Sequence, residues 1–421
     1  MNIDFERNLE KYAEVIVKVG LNLQSGQRLI IGAPFFGTDG TPVEAYQLVR
    51  RITQAAYQAG AKYVGVNWDD EELQRIRVSN ASLESMCEFA EWKNRGAIEY
   101  VANRDAIVMV LAQNPALLSD LDSQKLQAKQ KVETEQFHKL FSKLAAGVTN
   151  WLVVGAAITS WATKVFPNLE QDEAKARLWN TIFQVCRINQ DDPVAGWKRH
   201  VADLNNRADY LTSKRYTALQ FKSPGTDLTI GLPEDHLWHS GSLTTQNGLT
   251  FTANIPTEEV FTMPHKQRID GIVTSTKPLS YQGRLIEKFT LKFFKGRVVH
   301  ATAENGQDAL NNILSSDEAS RSLGEVSLVP HSSPISQCGV LFYNSLFDEN
   351  ASDHLALGNA YRFSIKNGEK MTAEKFAAAG GNESMTHADF MIGSNEMNVD
   401  GLTSNGTAEP IMRDGEWAFK V

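Results

Sequence analysis

Cysteine and long apolar runs are scarce in this sequence. Its three cysteines, Cys87, Cys186 and Cys338, are widely spaced and form no CxxC pair, which argues against a disulfide framework or a thiolate metal site. We expect them to be small buried hydrophobes. The longest apolar stretches, such as residues 106–112 and 152–158, fall far below the roughly 18 residues that a membrane span needs.

Positive charge is also in short supply. The formal net charge is −8, so the chain has no basic excess with which to neutralise phosphates, and we expect no nucleic acid partner. The N-terminus, MNIDFERNLEKYAEVIVKVG, carries charges early and lacks the apolar region and cleavage site of a signal peptide. The sequence therefore predicts a cytoplasmic protein that does not bind membranes.

The length of 421 residues predicts two domains, because single cores stop growing beyond roughly 250–300 residues. In the first half, strand patterns at 28–32 and 62–68 alternate with a helix pattern at 42–59. Such alternation is typical of an α/β layer with a largely parallel sheet. We assign residues 1–212 to this α/β N-terminal domain.

After two further helix patterns, 171–188 and 193–210, the character of the chain changes. Strand patterns at 219–221 and 228–230 flank a turn, and residues 285–303 have the pattern of a hairpin. We therefore predict that residues 213–421 form an α+β, β-rich domain, in which all the candidate catalytic and metal-binding residues described below lie.

Short catalytic motifs are absent: the sequence has no HExxH, no GxSxG and no Walker-type phosphate loop. The second half instead contains a scattered set of acidic, imidazole and phenol side chains beside strand and turn patterns. Its members are Glu258, Glu259, Glu325, His354, Tyr361, His387 and Asp389. By contrast, we expect His236, His239 and His300 to be structural or exposed.

The spacing of these side chains suits a metal site. His387 and Asp389 are two residues apart, so on a strand both point to one face. His354 and Tyr361 are seven apart and would share a face of a helix, with Gly358 leaving room between them. Such oxygen and nitrogen donors suit zinc, cobalt or manganese. From spacing alone, a solvated or packed role for each residue stays open as well.

Four segments of the second half follow the order of one family's signature blocks: IPTEEVFTMP, GEVSLVP, LFDENASDHLALGNAY and THADFMIGS. In the first half, LNLQSGQRLIIGAP, AYQAGAKYVGVNWDD and WATKVFP extend the likeness over nearly the whole chain. Through these blocks the chain resembles the thermophilic-type metalloaminopeptidases, which include aminopeptidase T, aminopeptidase S, PepS and aminopeptidase II.

The resemblance implies a homodimer that removes N-terminal amino acids from peptides with a free N-terminus. It implies two divalent metal ions, zinc, cobalt or manganese, that activate water for the reaction. The family's metal-ligand pattern falls on Glu259, Glu325, His354, Tyr361, His387 and Asp389. The adjacent Glu258 is our candidate for the catalytic base that carries a proton from water to the leaving amine.

Two departures from the family pattern affect no proposed ligand. Ala388 stands where a larger aliphatic residue is expected, and residues 365–385 form a slightly long segment. Two other functions stay open. The chain could be a two-metal hydrolase of another amide or ester substrate, because the same ligands serve many such reactions, or a non-catalytic peptide-binding protein.

Overall fold

The computed structural model describes residues 3–34, 39–281 and 284–421, apart from the side chain of Lys93. The chain contains two compact units, Met1–Val201 with Ser242–Thr257, and Ala202–Gly241 with Glu258–Val421. The first division falls inside a helix that continues to Lys214. The division into domains 1–212 and 213–421 stays a prediction.

The helices, in chain order, are α1 (Ile3–Val15), α2 (Tyr46–Gln58), α3 (Glu71–Asn80), α4 (Glu91–Ala102), α5 (Ser123–Ala145), α6 (Thr159–Val165), α7 (Gln171–Val185), α8 (Pro193–Lys214), α9 (Gln307–Leu314), α10 (Pro334–Gln337), α11 (Ser345–Asp348) and α12 (Ala373–Ala378). The strands are β1 (Arg28–Ile31), β2 (Thr41–Pro42), β3 (Tyr63–Val66), β4 (Trp68–Asp69), β5 (Ala106–Leu111), β6 (Trp151–Gly155), β7 (Ala218–Ser223), β8 (Thr226–Gly231), β9 (His239–Ser240), β10 (Ser242–Thr244), β11 (Thr250–Thr252), β12 (Asn254–Ile255), β13 (Val260–Thr262), β14 (Ile269–Thr274), β15 (Leu279–Tyr281), β16 (Arg284–Phe294), β17 (Arg297–Asn305), β18 (Leu323–Leu328), β19 (His354–Gly358), β20 (His387–Met391), β21 (Asn398–Leu402), β22 (Ala408–Arg413) and β23 (Glu416–Trp417).

The first unit is built on a parallel sheet with the strand order β12-β6-β5-β1-β3. Every residue of β5 and β6 is buried, which explains why both read as unbroken apolar runs in the sequence. Asn254 of β12 pairs with Val153 of β6, so a late segment of the chain completes this sheet. The predicted α/β layer with a largely parallel sheet is confirmed.

The second unit contains two antiparallel sheets. The larger has the order β15-β16-β14-β8-β7-β21-β22-β23, with β17 paired to β16. The smaller, which we call the site sheet, has the order β20-β19-β18-β13-β9. Their apolar side chains share one core, in which the rings of Phe289 and Phe390 lie 5.5 Å apart between centroids. The predicted β-rich α+β character of this half is confirmed.

The predicted hairpin is the pair β16 and β17, joined at Lys295 and Gly296. Both turn residues have positive φ, 49° and 83°, as a tight two-residue hairpin turn requires. A side chain at Gly296 would meet the carbonyl oxygen of Lys266 at 1.8 Å, so glycine is needed there for space as well. Among the described residues, no helix is both long and apolar enough to cross a membrane.

Candidate metal centre

The site sheet carries polar side chains on one face. Opposed residues of antiparallel strands point to the same face, and the register aligns His239, Phe261, Ser327, His354 and Met391 across the five strands. Glu325 and Asp389 pair with Ala356 from the two neighbouring strands, β18 and β20. Each lies two residues from the aligned row along its own strand, so both point to the same face as that row. The predicted common face for His387 and Asp389 is present on β20.

The opposite face of the site sheet belongs to the core. Val326, Leu328, Leu355, Leu357 and Phe390 alternate with the polar residues and are buried in the core cluster. Ala388 pairs with Leu357 on this core face and is 3% exposed. The small residue at 388 therefore affects packing behind the sheet, while the neighbouring His387 and Asp389 point to the polar face. This alternation lets one short sheet serve both a core and a site.

Five ligand-type side chains meet on the polar face. Nε2 of His354 lies 3.1 Å from Oε2 of Glu259 and 3.7 Å from Oε1 of Glu325. Nε2 of His387 lies 3.7 Å from Oε2 of Glu325 and 3.3 Å from Oδ1 of Asp389. The two oxygens of Glu325 therefore face different histidines. The donors form two groups that share Glu325, and within each group the ligand atoms lie within 4.8 Å of one another.

The backbone orients both imidazoles. Nδ1 of His354 lies 3.2 Å from the carbonyl oxygen of Ser352, and Nδ1 of His387 lies 2.9 Å from that of Asn359. Because a carbonyl oxygen only accepts hydrogen bonds, each Nδ1 is the donor and each Nε2 is directed towards the carboxylates. Metal-ligating histidines are typically held in this way. The hydroxyl of Ser327 similarly donates to Oε2 of Glu259 at 2.8 Å.

The pKa values follow from burial and close charges. Burial, together with the neighbouring Glu259, outweighs the lowering effect of the contact with His354 and raises the pKa of Glu325 to about 7. Burial alone would lower the pKa of His387, but Asp389 and Glu325 outweigh it and raise that pKa to about 10. The pKa of His354 is raised well above its usual value, since its contacts with Glu259 and Glu325 outweigh burial. Without a metal cation, the cluster therefore balances its negative charge by holding protons.

Known proteins identify the family. A family profile described as "Thermophilic metalloprotease (M29)" matches residues 5–417. The chain is 45% identical to Aminopeptidase AmpS of Bacillus subtilis strain 168 over 415 residues, which is 99% of each chain. It is 41% identical to Aminopeptidase T of Thermus thermophilus over 413 residues, 98% of this chain and 99% of that one. A solved structure described as wild-type AmpT from Thermus thermophilus matches with a TM-score of 0.92 and 40% identity, covering 99% of this chain and 100% of the other.

The chain belongs to the M29 family. The predicted family, fold class and enzyme class, a metallo-aminopeptidase, are confirmed. Membership of a metalloprotease family implies a divalent metal cofactor.

The donor set fits such a cofactor. Buried carboxylates repel one another unless a proton or a cation lies between them. Imidazole nitrogens and carboxylate oxygens are ligands that zinc, cobalt and manganese accept. Because each Nδ1 is bound to a backbone carbonyl oxygen, the Nε2 atoms of His354 and His387 can ligate a metal once the metal displaces the Nε2 protons. The shared carboxylate of Glu325 offers one oxygen to each group of donors, so the residues present suit a divalent metal cofactor.

Tyr361 lies beside the cluster, but not on a helix with His354. His354 begins β19, whereas Tyr361 directly precedes a short 3-10 turn, Arg362–Ser364, so the expected helical face is wrong. Gly358 ends β19 with a φ of 103°, and a side chain there would meet the carbonyl oxygen of Thr386 at 2.1 Å. Beyond Gly358 the backbone stays beside the segment that precedes β20, since the N–H of Asn359 donates to the carbonyl oxygen of Thr386 at 2.7 Å. The Tyr361 ring lies 5.1 Å from the His387 ring between centroids.

Glu258 is adjacent to Glu259 in the chain and is 2% exposed. It precedes β13, and its backbone N–H donates to Oδ1 of Asn350 at 2.7 Å. The amide of Asn350 in turn donates to the carbonyl oxygen of Leu346, four residues earlier, at 3.0 Å, which orients the side chain that Glu258 contacts. The part of Glu258 in the reaction stays a prediction.

Sequence reasoning missed Glu349. It begins the 3-10 turn Glu349–Ala351, and the charges of Asp389, Glu259 and Glu325 act on it. Burial, followed by Asp389 and Glu259, raises its pKa well above the usual value. The signal was its position inside the block LFDENASDHLALGNAY, in which only His354 and Tyr361 had been selected.

His239 was expected to be structural or exposed. It lies on the polar face of the site sheet, directly opposite Phe261, and its Nε2 donates to the carbonyl oxygen of Phe363 at 2.9 Å, a contact that agrees with a structural role. Its strand, β9, has only two residues, which is too short for an alternating pattern to be recognised in the sequence.

Proposed function

We propose that the chain uses two divalent metal ions to hydrolyse the peptide bond next to a free N-terminus. The proposed ligands are Glu259, Glu325, His354, Tyr361, His387 and Asp389. One observation carries the two-ion reading: the oxygens of Glu325 face different histidines, each at 3.7 Å. A carboxylate that bridges two ions presents its oxygens in this manner.

In this proposal, Glu259 and His354 would hold one ion, Asp389 and His387 would hold the other, and Glu325 would contribute to both. The two donor groups that share Glu325 support this division. When bound, such a pair of cations makes water acidic enough to act as a nucleophile near neutral pH and polarises the scissile carbonyl. The metal is zinc, cobalt or manganese, since the donors are nitrogen and oxygen.

The protein groups around the donors orient them and handle protons. The carbonyl oxygens of Ser352 and Asn359 fix the histidine rings, and the hydroxyl of Ser327 orients Glu259. Glu258 carries the proton from the attacking water to the leaving amine. Its location next to Glu259 and its burial support this role.

Tyr361 is the unusual ligand of the set. Burial, followed by the charges of Glu325 and Asp389, raises the pKa of its phenol well above the usual value. A bound cation reverses the local charge and favours the phenolate. The contact between the Tyr361 and His387 rings supports a place in the ligand sphere.

The substrates that we propose are peptides with a free N-terminus. The aminopeptidase names of the relatives from Bacillus subtilis and Thermus thermophilus support this class. Identity above 40% over almost the whole chain makes a different amide or ester substrate, or loss of catalysis, the weaker alternative. The close grouping of Glu259, Glu325, His354, His387 and Asp389 also favours an active enzyme.

We also propose a homodimer. The resemblance described above, which implies a homodimer, supports this proposal. Light scattering after gel filtration should give twice the chain mass, and a monomeric mass contradicts the proposal. A cytoplasmic location and the absence of nucleic acid partners stay predictions.

The deciding experiment measures amino acid release from one short peptide in two forms, with a free and with an acetylated N-terminus. Metal-stripped protein is assayed alone and after addition of zinc, cobalt or manganese. The proposal predicts metal-dependent release from the unblocked peptide only. Equal cleavage of both forms contradicts the requirement for a free N-terminus, and no cleavage with any metal favours a peptide-binding protein.

A further inference from the structure

The ligand cluster is more open on one side than on the other. The side chains of His354 and Glu325 are 1% and 7% exposed, whereas those of His387 and Asp389 are 18% and 16% exposed. A substrate therefore reaches the cluster from the side of His387 and Asp389. The side chains that border this side are in a position to select among substrates.

Aromatic rings occupy that border. The ring of Tyr361 contacts His387, and the ring of Phe363 stacks on Tyr361 with centroids 5.2 Å apart and an interplanar angle of 7°. Phe261 lies edge-on to both, at 6.3 Å from Tyr361 and 6.2 Å from Phe363. We call Phe261, Tyr361 and Phe363 the aromatic wall.

The wall is held from behind. Arg362, between the two stacked rings in the chain, contacts Glu383 at 2.5 Å and lies over the ring of Phe376 at 4.7 Å. On the other side, Nε2 of His239 donates to the carbonyl oxygen of Phe363 at 2.9 Å, and the two rings meet edge to face. Burial lowers the pKa of His239, which keeps this imidazole neutral. Tyr361 and Phe363 are partly exposed, whereas Phe261 is 8% exposed, so the first two rings form the accessible part of a preformed apolar surface beside a polar cluster.

Resting on the aminopeptidase function proposed above, we propose that the aromatic wall binds the side chain of the substrate's N-terminal residue and favours aromatic and large aliphatic side chains. The scissile carbonyl belongs to that residue, so its side chain is the part of the substrate fixed nearest to the cluster. Flat aromatic faces stack with rings and bury alkyl groups. Small side chains cannot reach across the same surface, and they lose this contact.

A purely structural role makes a different prediction. If the wall only keeps Tyr361 in place, damage to it lowers the turnover of every substrate by the same factor. If it binds the first side chain, damage changes the ratio between substrates. The position of Phe363 allows this separation, because His239 contacts its backbone oxygen, which a side-chain substitution leaves in place.

The test compares kcat/KM for Phe-Ala, Leu-Ala, Arg-Ala, Ala-Ala and Ala-Phe. We expect the wild-type protein to prefer Phe-Ala and Leu-Ala over Ala-Ala. Phe363→Ala should lower the ratio of Phe-Ala to Ala-Ala about tenfold, the scale on which an apolar pocket discriminates. Phe363→Leu, which retains apolar volume and is the safer variant for folding, should give a smaller loss. Phe294→Ala is the matched control, since that ring is 57% exposed at the end of β16.

Calorimetry supplies a readout that does not depend on turnover. L-Phenylalanine should bind the metal-loaded wild-type protein more tightly than L-alanine does, and Phe363→Ala should remove most of that difference. Equal affinity for the two amino acids overturns the proposal. An equal fall in kcat/KM for all dipeptides, or a change seen only with Ala-Phe, also overturns it.

A preference for Arg-Ala that depends on Phe363 overturns the apolar class of side chain. If the wild-type protein releases amino acids but the ratios do not change in Phe363→Ala, the subsite alone is wrong. If the wild-type protein releases none from any dipeptide, the proposed function fails, and the subsite fails with it.

Discussion

The substitution Ser327→Ala measures how much the hydrogen bond to Glu259 contributes to metal affinity. The donor hydroxyl is fully buried, and Glu259 is 7% exposed, so water cannot replace the bond. A hydrogen bond to a charged group contributes about 1.5–3 kcal/mol. Loss of a group that orients a metal ligand typically weakens metal binding about 10–100-fold.

We expect the lower end of this range, about tenfold, because the same bond also disappears from the metal-free protein. Competition against a chromophoric zinc chelator gives the dissociation constants of the wild-type and variant proteins. The matched control is Ser275→Ala. Ser275 directly follows β14 of the larger sheet, and its hydroxyl accepts a hydrogen bond from the backbone N–H of Phe289. That control should bind zinc as the wild-type protein does.

The reasoning is refuted if Ser327→Ala folds with the wild-type circular dichroism and melting temperature and binds zinc with unchanged affinity. In that case Glu259 either does not ligate the metal or is oriented by other groups. A loss of affinity in both serine variants points instead to a general loosening of the second unit.

Four further predictions test single features of the site. Glu258→Gln should keep its metal ions and lose turnover by about 10²–10⁴-fold, the usual contribution of a positioned proton carrier. Tyr361→Phe should lower metal content after dialysis, measured by mass spectrometry, because it removes the phenol oxygen. Glu349→Gln should weaken binding of a second metal equivalent, since it removes a carboxylate that can offset cation charge. Metal affinity should rise from pH 6 to pH 8, because the pKa of His387 is raised to about 10 and that of Glu325 to about 7. The release of protons on metal binding should make the measured binding enthalpy depend on the buffer. Both groups hold protons below those values, so a metal must displace them.

Each of these predictions has an outcome that contradicts it. Full activity of Glu258→Gln shows that another group carries the proton. Unchanged metal content in Tyr361→Phe shows that the phenol only packs or hydrogen-bonds beside the site. If Glu349→Gln binds its second metal equivalent with unchanged affinity, the Glu349 carboxylate does not contribute to metal binding. An affinity that stays flat between pH 6 and pH 8 contradicts the assignment of protons to the metal-free cluster.

Much of the site could be predicted because successive side chains of a strand point to opposite faces of the sheet. His387 and Asp389 share a face on β20, and the apolar residues between and around the polar ones lie in the core. The parallel sheet of the first unit was readable for a related reason, since β5 and β6 are buried on both faces and appear as unbroken apolar runs.

The remainder depends on contacts that are distant in sequence. Spacing alone allowed a helix from His354 to Tyr361, and the pairing of His354–Gly358 with two neighbouring strands selects β19 instead. The return of Asn254–Ile255 to the parallel sheet is likewise a pairing with no local signal. Glu349 could not be distinguished from a solvated loop residue until the fold brought it near Asp389 and Glu259.

The central claim is that two metal ions in one cluster cleave the first peptide bond. The most direct measurement is amino acid release from an unblocked peptide as metal-stripped protein is titrated with zinc, cobalt or manganese. Our account predicts that, with at least one of these metals, activity rises to a plateau at two equivalents per chain and that Glu325→Gln abolishes this rise. Full activity at one equivalent, or activity that persists in Glu325→Gln, contradicts the shared carboxylate and the two-metal mechanism.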